Sequence, residues 1–165
     1  MKISLSIFKT LFIGFFLAFL FSIILSILIP NNIRMEPNLW FGADIGRVIE
    51  DMTNPDSVHY RLKVHPLFSL LTLPITRPIY YLLKTLGFDI FNSKYIASQI
   101  LISVSGGIIW ILIYLISIKS GLSKINSFGL SLLFLSTSAF QNWWSTPETF
   151  PIGSLTILLP LSLLS

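Results

Sequence analysis

Thirteen of the 18 charged side chains of this sequence fall between Arg34 and Lys94, and three uncharged apolar runs flank that block. Thr10 to Ile33 has no charge, nor has Tyr95 to Ile118, nor Ile125 to Pro147. Each run is long enough to cross the ~30 Å hydrocarbon core of a bilayer as a helix. A chain so divided is expected to be an integral membrane protein of the all-α class. In lipid every backbone polar group must find a partner within its own segment, and helices do this. The ionic chemistry is then confined to one large loop.

Composition agrees: 11% of residues are charged, against about 25% in an ordinary soluble domain. There is no cysteine, so disulfides and thiolate metal sites are excluded. A net charge of +4 suits topology and contact with anionic lipid, not nucleic acid. Lys2 and Lys9 precede an apolar stretch, Leu11 to Ile29, that exceeds the ~7–15-residue core of a cleaved signal. No small-x-small site follows it, and an uncleaved signal anchor is expected. The segment after Leu155 is still apolar at Ser165. The sequence therefore reads as the N-terminal part of a longer transmembrane domain, with a short protein ending inside the membrane as the alternative.

The expected architecture is a polytopic bundle with about four membrane segments, near 10–29, 95–118, 125–142 and 149–165, and an outer loop over 30–94. The positive-inside rule puts Lys2, Lys9, Lys119 and Lys124 in the cytoplasm. That orientation requires Pro66 to Phe88 not to cross. Pro74, Arg77 and Pro78 interrupt this segment, and its cleanest apolar part, Pro66 to Ile75, is too short to span. It is read as a helix in the interface, with a broken or re-entrant span as the alternative. Trp143 and Trp144 are expected at the outer interface. Gly106-Gly107 is compatible with close helix packing or with simple tolerance of glycine.

Within the loop, Trp40 to Met52 has helical periodicity. Phe41, Ile45, Val48, Ile49 and Met52 make an apolar stripe, while Asp44, Arg47 and Asp51 share another face. Asp44 is thereby a candidate acid, and its alternative is a solvated pair with Arg47. Arg61, Lys63 and His65 are candidates for holding a phosphate, Arg by paired hydrogen bonds and Lys as a point charge. Their alternative is a lipid-headgroup patch. Thr146-Pro147-Glu148 reads as a helix start, with Thr as cap and Pro at the first position. Equally, Glu148 is an acid at the mouth of a membrane bundle. No glycine-rich phosphate loop, nucleophile elbow or metalloprotease spacing is present.

In combination these residues resemble the N-terminal part of GT-C superfamily glycosyltransferases, which include protein O-mannosyltransferases and lipid A aminoarabinose transferases. The shared features are a signal anchor, the loop acid in Phe41-Gly42-Ala43-Asp44-Ile45, the Val64-His65-Pro66-Leu67-Phe68 helix opening, and the acid in Thr146-Pro147-Glu148. Departures are Ile45 where many members have Glu, Leu67 where many have a second Pro, and Glu148 where Asp is frequent. The resemblance implies a multi-pass plasma-membrane enzyme of hexosyltransferase type with a cytoplasmic N-terminus. It would move a sugar from a polyprenyl-phosphate donor to an acceptor at the outer face. By the same resemblance Asp44 is a catalytic base or a ligand of a divalent cation (Mg or Mn), Glu148 completes the acidic site, and Arg61, Lys63 or His65 steady the departing phosphate. The alternative is a non-enzymatic membrane protein, either a lipid-linked-sugar transporter fragment or a small membrane-assembly subunit.

Overall fold

The computed structural model describes residues 5–29, 44–57 and 66–164. Among these, the ordered elements are all helical: α1 (Leu5–Leu28), α2 (Ile45–Thr53), α3 (Pro66–Thr85), α4 (Ile90–Lys119), α5 (Lys124–Ser136), α6 (Ser138–Trp143) and α7 (Phe150–Leu164). Two of them, α1 and α4, are long and apolar enough to cross a membrane.

The packing of α1 is inside-out relative to a soluble helix. Its buried positions are Gly14, Ala18, Ser22 and Ser26, one per turn. Its large apolar side chains, among them Phe8, Phe12, Leu20 and Ile24, are exposed. Lipid is as apolar as leucine, so burying leucine between helices gains little there. Small residues that let backbones approach are favoured instead. Those small residues lie against α4, which runs antiparallel to α1. Ser26 meets Tyr95 hydroxyl to hydroxyl at 2.6 Å near one end. Gly14 abuts the Trp110 ring, and Gly107 abuts Phe15, towards the other. Gly106 faces Trp144 and Phe140 instead. The glycine pair is thus a packing device serving two neighbours.

The 30 residues of α4 make a rod of about 45 Å at 1.5 Å per residue, longer than a bilayer core. It begins at Ile90, five residues before the expected start of the span. Asp89 caps it, its carboxylate accepting the Asn92 backbone N–H at 2.9 Å. Those extra N-terminal turns support α2, through contact of Ile45 and Ile49 with Tyr95 and through the ion pair of Lys94 with Glu50 at 2.6 Å.

The 66–88 segment, expected as a helix with a broken or re-entrant span as the alternative, forms one continuous helix, α3, with Pro74 and Pro78 inside it. Its buried face is Phe68, Thr72 and Thr76 at four-residue steps, and Leu67, Leu70, Leu71 and Ile75 are exposed. It packs against α2 and α4. The apolar run 125–142 differs from its expected form and divides at Thr137 into α5 and α6. Ser136, Thr137 and Ser138 bring hydroxyls that compete for backbone groups, and Thr137 accepts the Phe140 N–H at 3.2 Å to cap the new helix. Finally α7 returns along α4, so that the Lys119 ammonium donates to the Ser162 carbonyl at 2.6 Å.

Candidate functional site

The apolar stripe of α2 goes where its periodicity directs it: Ile45, Val48, Ile49 and Met52 are all buried. Helix α2 is fixed on three sides, by Tyr95 below Ile45 and Ile49, by the Lys94–Glu50 pair, and by the Thr76 hydroxyl donating to the Met52 carbonyl. Residues 40–43, including Phe41, lie outside the described residues.

Asp44 occupies the cap position of α2, yet its side chain makes no capping bond. The carboxylate turns to Arg47, with Nη1 to Oδ2 at 2.7 Å. Asp44 keeps 47% of its side-chain surface exposed, against 16% for Arg47. The Arg47 Nε is buried without a hydrogen-bond partner. The expected solvated pair is therefore lopsided, with an open carboxylate held by a mostly sheltered guanidinium.

Glu148 reaches the same point from 104 residues away. Its Oε1 accepts the backbone N–H of Asp44 at 3.0 Å, and its Oε2 accepts the Thr149 N–H at 3.1 Å. It is 4% exposed. The helix start expected at Thr146-Pro147-Glu148 is not seen, because α7 begins at Phe150. Thr146 donates back to the Asn142 carbonyl instead. Proline and threonine there shape an irregular lead-in, and its acid spans to α2 rather than serving the helix it precedes.

Beneath the two acids lies a polar knot that charge and periodicity did not single out. The Trp144 carbonyl accepts from the Ser22 hydroxyl at 2.5 Å and from Gln99 Nε2 at 3.0 Å. Ser103 completes it, 2.8 Å from Ser22. The Trp144 ring stacks on Phe140 and donates Nε1–H to Ser105 at 3.1 Å. Trp144 is thus a core residue and not an interfacial anchor. Its carbonyl has no helical partner ahead of it because α6 ends there, and Ser22 and Gln99 from two other helices supply the donors. Gln99 and Ser22 standing inside apolar runs were the available signal.

Asp51 departs from its expected place on a solvated face. It is 5% exposed and accepts the Ser57 hydroxyl at 2.6 Å. Arg61, Lys63 and His65 lie outside the described residues. As to a divalent cation at Asp44, hard cations take six or more oxygen ligands. The described residues contain no cluster of three or more potential ligands, the Asp44 carboxylate is engaged by Arg47, and both Glu148 oxygens accept backbone amides. The described residues alone therefore do not assemble a site for a hard cation.

Chemically the site offers, among the described residues, one accessible carboxylate on a rigid mount, at one end of a bundle whose exterior exposes large apolar side chains. The chain matches no family model, and no curated protein or solved structure is significantly similar to it.

Proposed function

We propose that the chain is part of a multi-pass membrane glycosyltransferase of the GT-C type. It would use a polyprenyl-phosphate-linked sugar, with Asp44 as the acceptor-activating base. The observation that supports this reading best is the meeting of Asp44 and Glu148 across 104 residues. A solvated surface acid needs no such mount, whereas a general base must be held in place. In this reading α1, α4, the α5–α6 pair and α7 form four membrane segments. The N-terminus and the Lys119–Lys124 turn are cytoplasmic and the 30–94 loop is outside, as the lysines favour.

The reaction follows from the parts. An acceptor hydroxyl oxygen attacks the anomeric carbon of the donor. A new glycosidic C–O bond forms as the bond from that carbon to the phosphate oxygen breaks. The electron pair leaves with the lipid phosphate, and the hydroxyl proton passes to the Asp44 carboxylate. Arg61, Lys63 and His65 are the proposed partners of the growing phosphate charge. Arg47 aims the base through its 2.7 Å contact. Glu148 is a positioning residue, since its oxygens are bound to backbone amides.

The test is sugar transfer from a polyprenyl-phosphate donor in membranes containing the intact protein. Asp44→Asn retains shape but not basicity, and a loss of ~10²–10⁴-fold is expected. Asp51 is a poor control because it is buried. Asp56, exposed at the turn after α2, is the control, and Asp56→Asn should transfer at the parent rate. Transfer by Asp44→Asn at the parent rate would remove the assignment of the base. A parent protein that bound the donor but transferred nothing would favour the transporter or assembly-subunit reading.

A further inference from the structure

At the end of the bundle opposite the acids, α1, α4 and α5 leave a cleft of about 320 Å³ lined by Ser6, Thr10, Ile13, Tyr114, Lys124, Ile125 and Phe128. We infer that this cleft binds the headgroup of one acidic phospholipid, with Lys124 and Tyr114 as the phosphate-binding pair. The inference is independent of any transfer activity and rests only on α1 and α4 crossing a membrane.

Four observations point to an anionic lipid. Tyr114 is 1% exposed, its ring stacked on Trp110. The residue lines the cleft, and among the described residues no partner takes its phenolic hydroxyl, so a phosphate oxygen in the cleft could accept from it. Next, Lys124 is exposed on the rim and forms no ion pair among the described residues, and no Asp or Glu occurs in residues 1–35 or 90–147. This end of the molecule is basic throughout. Lys124 also opens the 13-residue helix α5, whose first amide groups and dipole add to the attraction for an anion. Lastly, Ile13 and Ile125 are exposed beside these polar groups. A free anion has no use for them, while the glycerol and first methylenes of a lipid would cover them. The position fits as well: Lys119 ends α4 and Lys124 opens α5 on this side of the bundle, and basic residues flanking membrane helices attract anionic headgroups.

Lipid retention by the purified chain in detergent, read by native mass spectrometry, tests this. The probes are phosphatidylglycerol, phosphatidylcholine and inorganic phosphate. One phosphatidylglycerol should be held in preference to phosphatidylcholine. Lys124→Gln should weaken it about fivefold, the worth of one lysine at a charged surface. Tyr114→Phe keeps the ring packing and should weaken it about tenfold, the worth of a hydrogen bond to a charged group. Lys9→Gln, a nearby lysine outside the cleft lining, should change retention less than twofold. Unchanged helicity and melting would show both cleft variants folded. Equal retention of the two lipids overturns the proposal, as does equal loss in Lys9→Gln, which would mean diffuse attraction. Displacement of the lipid by millimolar phosphate would assign the cleft to a free anion and overturn the lipid assignment.

Discussion

Adding one methyl group at Gly14 tests the inside-out packing of α1. A Cβ there would lie 1.9, 2.1 and 2.3 Å from three carbons of the Trp110 ring, where contacts settle at about 3.5–4.0 Å. The ring must retreat by at least ~1.5 Å, and it has little freedom to do so. Tyr114 stacks on it at 5.6 Å between centroids, and Phe128 meets it edge-on at 5.5 Å. The remaining relief is separation of α1 from α4, which also strains the Ser22–Ser103 and Ser26–Tyr95 contacts. Overpacking of this kind costs roughly 1–3 kcal/mol, and Gly14 should fall at the upper end. Gly→Ala in a helix returns about 1 kcal/mol, so a net loss of ~2 kcal/mol is expected for Gly14→Ala. Gly129 and Gly153 are the controls, because a Cβ at either meets nothing within 4 Å. Their alanine variants should gain up to about 1 kcal/mol. Thermal unfolding of all three in one detergent, followed by far-UV circular dichroism, reads the order directly. If Gly14→Ala melted with or above Gly129→Ala, α1 would not be seated on Trp110 and the antiparallel α1–α4 pairing would be wrong.

Three further outcomes are expected. Gln99→Leu removes the amide donor from the Trp144 carbonyl while relieving the partnerless Gln99 Oε1, so a net cost of about 1 kcal/mol is expected on melting. The Asn92 backbone amide and side chain hold the Asp89 carboxyl below its ordinary range. A lowered folded-state value means that this capping contribution is complete above about pH 4 and is lost as the pH falls further. Amide exchange at the first turn of α4 should accelerate below that pH, and Asp89→Ala should abolish the pH dependence. For topology, Asn92→Cys and Leu122→Cys occupy exposed positions at opposite ends of α4. An impermeant thiol reagent on intact cells should label the first and not the second. The reverse pattern would invert the proposed orientation.

Much of the layout was legible in the sequence because it depends on local composition. Uncharged length marked α1 and α4, and three- and four-residue spacing marked the buried stripe of α2. What was not legible depended on partners distant in the chain. Glu148 looked like part of a helix start because Thr-Pro-Glu is a good local one, and the Asp44 amide, close only in three dimensions, takes part of its carboxylate. Trp144 had the composition of an interfacial anchor, but the gap left by Gly106 drew its ring into the core. Asp51 sat on the polar side of the α2 pattern, yet the turn at Ser57 folded over it. Pro74 and Pro78 had left a broken segment open beside the preferred helix, and α3 is one helix whose buried face is Phe68, Thr72 and Thr76. The loop cations Arg61, Lys63 and His65 remain expectations from sequence.

The bond from the Asp44 amide to Glu148 also sets a timetable. At synthesis rates of ~5–20 residues per second, 104 residues take about 5–20 s to emerge. Throughout that interval the start of α2 exists without its anchor, and for the first part without Lys94 and Tyr95 as well. A nine-residue helix is too short to persist alone in water. Under the proposed membrane topology, its apolar stripe of Ile45, Val48, Ile49 and Met52 would give it somewhere to wait, on the lipid surface beside an inserted α1. The amphipathic pattern of α2 would then serve twice, first to park the nascent segment on the bilayer and later to seat it on the helices that arrive after it.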